Sequence, residues 1–186
     1  MTLVSGAADS LRHPWYRLQH GLLQFAGGQG MVAAGAGYSL VRRRLDLDLL
    51  AGYVPRRYST TALGIFTAKL TYSPWLLPLG PGSWQLQPLS FGAQLNHTAG
   101  SGLNASRDAK YPRGYYWWSA RTRLGAFVGG RLRTVVRLGA ARPPHKLALY
   151  YELGTNDLYL ASWWNNRGAL GLPDILTLGL GIKWNL

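Results

Sequence analysis

The sequence predicts an all-β chain, folded as an eight-stranded antiparallel up-and-down transmembrane β-barrel. Three observations predict it. Segments of roughly ten residues, the length a tilted membrane-crossing strand needs, alternate apolar with small or polar residues. A period of two is the mark of strands, because successive side chains point to opposite faces. The non-apolar face is mostly Gly, Ser, Thr, Gln and Asn with a few charges of both signs, where the water face of a soluble sandwich would carry many Lys and Glu. Aromatic residues gather at the segment ends, as interfacial girdles do.

By length the 186 residues make one domain with room for a core, divided as a tail over 1–15 and a barrel over 16–186. The chain is 47% hydrophobic and only 15% charged, with 24 Gly, 8 Trp and 11 Tyr. The absence of cysteine excludes a disulfide scaffold and a thiolate metal site, and 4 isolated His supply no ligand cluster. No cofactor is expected. A net charge of +13 points to anionic partners rather than to a fold. No run of apolar residues is long enough for a membrane helix, and a mean hydropathy near zero is what alternation averages to. Met1 to Ser10 lacks the charged start and sustained apolar run of a signal peptide. The expectation is a mature chain with an added or retained Met, or one that is not exported.

The first strand is expected within Tyr16 to Gly27, with Leu18, Leu22 and Phe25 as its apolar content and an imperfect phase. Gly27-Gly28-Gln29-Gly30 is a glycine turn. Met31 to Leu40 follows, with Val32, Ala34, Ala36, Tyr38 and Leu40 on one face and small residues on the other. Arg42-Arg43-Arg44 makes a solvated turn. Leu45 to Val54 alternates most cleanly: Leu45, Leu47, Leu49, Ala51 and Tyr53 against Asp46 and Asp48. Two carboxylates on one strand face can form an acid/base pair, but without a histidine or ligand cluster they read better as partners of inward cations. After the loop Pro55 to Ser59, Ala62 to Ser73 is a strand with Phe66, Ala68, Leu70 and Tyr72 outward and Lys69 inward.

Pro74 to Ser83 is a connection. Trp84 to Thr98 is the fifth strand, with a bulge expected near Pro88, where the parity of Trp84 and Leu86 changes to that of Leu89 and Phe91. Ala99 to Gly114 is a long loop. Tyr115 to Gly130 is the sixth strand, with Arg121 and Arg123 on its inner face. Arg131 to His145 reads as a basic connection. Lys146 to Thr155 is the seventh strand, with Glu152 inward, and is open to running on towards Trp163-Trp164. Asn165 to Pro173 is a loop. In the last strand, Leu176, Leu178, Leu180, Ile182, Trp184 and Leu186 share a face, and Lys183 lies on the other. This strand should pair with the first and the seventh and so close the sheet. No helical pattern and no fixed-period repeat is recognisable.

An interior network follows: Asp46, Asp48 and Glu152 against Lys69, Arg121, Arg123 and Lys183. The groups must pair, because an unpaired buried charge is costly. Running the strands alternately up and down puts Tyr38, Tyr72, Trp75, Trp84 and Trp184 near one rim. It puts Tyr53, Tyr115 to Trp118 (Trp117 and Trp118 among them), Tyr159, Trp163 and Trp164 near the other.

Leu45 to Leu50 (L-D-L-D-L-L), Tyr150 to Leu160 (Y-Y-E-L-G-T-N-D-L-Y-L) and the terminal strand resemble segments of the small eight-stranded outer-membrane β-barrel proteins of Gram-negative bacteria. The resemblance covers about residues 16–186. It implies residence in the bacterial outer membrane, contact with membrane lipids and lipopolysaccharide, and insertion by the outer-membrane assembly machinery, with the last strand as its signal. That signal commonly ends in an aromatic; here Leu186 is last and Trp184 shares its face. Loop cations Arg56, Arg57, Arg107, Lys110, Arg113 and Arg167 would suit lipopolysaccharide phosphates, because guanidinium binds phosphate bidentately. The first expectation is a non-enzymatic barrel with a structural or envelope-interaction role, its interior plugged by paired charges. The second is a lipid-modifying enzyme, an acyl hydrolase or transferase on lipid A or phospholipid, for which His97 and Ser101 are the candidates. The lipid A deacylase spacing of His two residues before Ser is absent, since Thr98 and Ala99 follow His97. The third is a soluble basic barrel that stacks nucleic-acid bases. No nucleic-acid partner is expected, because the aromatics lie at both strand ends rather than on one platform.

Overall fold

The computed structural model describes residues 18–41, 43–59, 61–99, 121–136 and 144–186. Its strands are β1 (His20–Ala26), β2 (Val32–Leu40), β3 (Leu45–Val54), β4 (Leu63–Tyr72), β5 (Leu77–Pro78), β6 (Gln85–Ala99), β7 (Thr122–Val136), β8 (His145–Asn156) and β9 (Thr177–Asn185). One helix, α1 (Asp157–Asn165), lies between the last two. Each strand pairs antiparallel with its neighbours, and β9 pairs with both β8 and β1. Pairing of β4 with β6 completes the ring. The result is a closed eight-stranded antiparallel barrel, with the two-residue β5 attached to the start of β6. Closure removes the free edges at which a sheet would recruit other strands.

The alternation decides which side chains enter the barrel. On β3, Asp46, Asp48, Leu50 and Gly52 are buried, while Leu47, Leu49, Ala51 and Tyr53 are exposed. On β4, Thr67, Lys69 and Thr71 are buried, and Phe66, Leu70 and Tyr72 are exposed. On β9, Lys183 is buried and Leu178, Leu180 and Trp184 are exposed. Small residues make room for large neighbours: a Cβ at Gly92 would meet the Phe127 ring, and one at Gly181 the Tyr150 ring. Gly27 and Gly28, at φ +80 and +81, occupy the left-handed region that the β1–β2 turn needs and side chains disfavour.

Several boundaries differ from the sequence reading. Strand β1 starts at His20 and carries Leu22 inside, with Leu23 and Phe25 outside; apolar residues on both faces erase its alternation. The Pro74–Ser83 connection contains β5. The pairing of β6 with β7 shifts register between Gln87 and Ser90, at the Pro88 bulge. Strand β7 runs on to Val136, so Arg131 to Val136 belongs to a strand and not to a connection. Consecutive burial of Gly129, Gly130 and Arg131 breaks the period there. Asp157 to Asn165 is helical, so β8 does not run on to Trp163-Trp164. The Asn156 side chain caps α1 by accepting from the Tyr159 amide at 2.9 Å. No residue of α1 is buried, and without a buried stripe a short helix has no periodic signature. A 3-10 turn, Leu172–Ile175, then leads into β9.

The tail, the Ala99–Gly114 loop and the start of the expected sixth strand fall largely outside the described residues. So do Ser101, Arg107, Lys110, Arg113, Trp117 and Trp118.

Candidate functional site: the ion-paired barrel interior

The inward face of the strands builds three tiers. At the end away from the start of β1 and the end of β9, the β1–β2 turn tucks Gln29 fully inside, and its Nε2 donates to Gln94 Oε1 at 2.5 Å. Beside it the Thr67 hydroxyl donates to Asn96 Oδ1 at 2.8 Å. These are neutral amide and hydroxyl groups, and Gln29 Oε1 is buried here without a hydrogen-bond partner.

The middle tier is centred on Lys69, which is 0% exposed. Its Nζ donates to Glu152 Oε1 at 2.8 Å and to Gln24 Oε1 at 2.9 Å. The same Gln24 oxygen accepts from the Tyr150 hydroxyl at 2.9 Å. The ammonium also lies 4.9 Å from the Tyr150 ring centroid and 5.6 Å from that of Phe127, within cation–π range. Lysine is rarely fully buried unless paired, and here ion pair, amide and ring faces together replace its water.

The lower tier holds two carboxylates on one strand, as the alternation of β3 requires. Lys183 Nζ donates to Asp48 Oδ2 at 2.6 Å and to Asp46 Oδ2 at 3.2 Å. Arg131 Nη1 donates to Asp46 Oδ2 at 2.6 Å. His20 Nε2 donates to Asp48 Oδ1 at 2.6 Å, since an ionised carboxylate only accepts. That leaves His20 Nδ1 facing the Ser39 hydroxyl at 3.4 Å. Ser39 Oγ instead donates to Asp46 Oδ1 at 2.7 Å. The order Asp48–His20–Ser39 has the composition of a hydrolytic triad, but the shorter bond commits the hydroxyl to Asp46, whose own charge is held by Arg131 and Lys183.

The deep ion pairs join distant strands. Lys69 and Glu152 link β4 to β8, Asp46 and Arg131 link β3 to β7, and Asp48 and Lys183 link β3 to β9. Each partner lies three places round the ring from the other. Three carboxylates and three permanent cations meet in these tiers, and their formal charges cancel.

Of the residues the sequence singled out, Asp46, Asp48, Lys69, Glu152 and Lys183 converge here. Arg123 does not join them; it lies 3.7 Å from Asp157 at the upper end, and Arg121 precedes β7. Their place is taken by Arg131, which continues the parity of Arg121 and Arg123, and by His20. His97 is on the exposed outer face, with Nδ1 3.0 Å from the Thr122 hydroxyl. Arg56 and Arg57 are exposed in a 3-10 turn between β3 and β4. Arg167 stacks 3.7 Å from the Trp164 ring centroid. Tyr53, Tyr72, Trp75, Trp84, Trp164 and Trp184 are exposed, and Tyr38 and Trp163 are half-buried. Among the described residues no group of His, Asp or Glu is placed to hold a metal ion.

The fold and the interior thus define a class: a closed eight-stranded antiparallel β-barrel with a polar, ion-paired inside and an apolar outside. No family model matches the chain, and no curated protein matches it either. The functional reading therefore rests on the geometry.

Proposed function

We propose that this chain is a non-enzymatic integral β-barrel of the bacterial outer membrane, with a structural or envelope-interaction role and an interior plugged by paired charges. One observation carries the reading: the usual burial order is inverted. Lys69 and Asp48 are 0% exposed, while Leu49 is 61%, Phe66 57% and Leu180 53% exposed. Exposed apolar surface costs about 25 cal/mol per Å² in water, and large contiguous patches of it mark interaction or membrane surfaces. Hydrocarbon outside and a hydrogen-bonded polar inside satisfy both faces. Helix α1 supports the same setting, because Leu160 and Trp164 stand exposed on it at the upper rim, where amphipathic aromatics anchor.

Eight strands enclose an interior just wide enough for side chains, so the paired tiers act as a plug rather than a channel. The partners would be membrane lipids, and lipopolysaccharide phosphates at Arg56 and Arg57. The assembly machinery would handle insertion. Lipid chemistry finds no support at His97, whose ring faces outward beside Thr122. Nucleic-acid stacking finds none either, because the exposed Trp side chains are divided between the two ends, with Trp75, Trp84 and Trp184 at one and Trp164 at the other.

The test is refolding from denaturant into detergent micelles and into phospholipid vesicles. We expect a folded species that migrates differently from the boiled chain in a gel and floats with the vesicles. A stably folded, monodisperse chain in detergent-free buffer would overturn the proposal.

A further inference from the structure

The charges of the middle and lower tiers cancel, but a further set of cations beyond them does not. Towards the end of the barrel that carries β9's last residue, the interior opens into a cavity of about 490 Å³. Its wall includes Arg43, Arg133 and Lys146, and Arg131, Lys183 and Asp46 form its inner side. Arg133 lies in the positive fields of Arg131 and Arg43, and Lys146 in those of Arg43 and Arg133. Among the described residues, no carboxylate forms an ion pair with Arg43, Arg133 or Lys146. The carboxylate that does attract Arg133 is Asp46, and its Oδ2 already accepts from Arg131 and Lys183.

Three converging cations repel one another, and a partly enclosed wall screens them less than open water does. An arrangement of this kind is relieved by a bound anion. We propose that this mouth binds a phosphate group, either as a free anion or as the headgroup of an anionic lipid. Phosphate offers several strong acceptor oxygens. The planar fork of Arg133 can engage two of them, while Lys146 acts as a point charge on another. Arg43, in the β2–β3 turn, completes the positive wall. Ser83 and Thr134, also at this mouth, provide neutral hydroxyl donors. Trp184 and Leu186 at the same rim would let a headgroup enter with its chains outside the barrel. The site needs only the barrel fold and does not depend on the membrane reading or on the loops at the far end.

The experiment uses the full chain, folded in nonionic micelles or, should it prove soluble, in buffer alone. Inorganic phosphate is titrated by calorimetry, first alone and then with the micelles doped with phosphatidylglycerol or phosphatidylcholine. We expect saturable one-site binding, weakened at least tenfold by R133Q and by K146Q and retained by K146R. Lys146 is exposed, so K146Q keeps the barrel intact even if R133Q does not fold. Displacement of phosphate by phosphatidylglycerol and not by phosphatidylcholine assigns the site to a lipid headgroup; undisturbed phosphate binding assigns it to a free anion. If neither phosphate nor phosphatidylglycerol binds the folded chain saturably, or if K146Q binds as the unaltered chain does, the proposal is wrong.

Discussion

Replacing Lys69 with Met destabilises the folded barrel by about 3–5 kcal/mol, and replacing Glu152 with Met as well restores most of that loss. The asymmetry comes from desolvation. The ammonium and the carboxylate are both buried and meet at 2.8 Å. Removing one leaves the other charged in a medium that cannot solvate it, whereas removing both leaves an apolar pair of similar volume. Gln24 and the Tyr150 hydroxyl keep their mutual bond in the double variant. Denaturant unfolding in micelles or vesicles, taken through the two single variants and the double, measures the coupling. Additive losses would show that the two residues are not an ion pair in the folded protein.

The second large effect concerns the outer face. Leu49 lies mid-strand on β3 and is 61% exposed. In water, Leu49→Arg at such a position would change stability by no more than about 0.5 kcal/mol. On the lipid face near the bilayer midplane the same change costs about 2–4 kcal/mol. Folding of the L49R variant into vesicles is therefore expected to be weakened by that larger amount. A change within the smaller limit would place the β3 outer face in water.

The interior was largely readable in the sequence because a strand has only two faces. Once Leu45, Leu47 and Leu49 are placed outside, Asp46 and Asp48 have nowhere to go but in. The same parity argument places Lys69, Glu152 and Lys183. The partner of Lys183 is different in kind: it depends on register across three strands, and closure through β1 and β9 supplies that register. Arg131 was missed because Gly129-Gly130 precedes it and arginines follow it, a composition typical of a turn. The signal lay in its parity, which continues that of Arg121 and Arg123. His20 was missed because Leu22 packs inward at 0% exposure beside Leu50, so β1 shows no clean alternation. Helix α1 escaped for a related reason: its apolar residues surround the axis and bury no face, leaving the Asn156 cap as its main local signal.

The membrane assignment turns on whether the outer belt touches lipid. The chain contains no cysteine, so single cysteines can be introduced at Leu49, Phe66 and Leu180 and at the loop position Arg56, each carrying a nitroxide. In vesicles, collision with dissolved oxygen and with a water-soluble nickel chelate separates hydrocarbon from water. With a lipid-facing belt, labels at Leu49, Phe66 and Leu180 are open to oxygen and closed to nickel, while the label at Arg56 is open to nickel. Nickel access at all four positions would contradict the assignment.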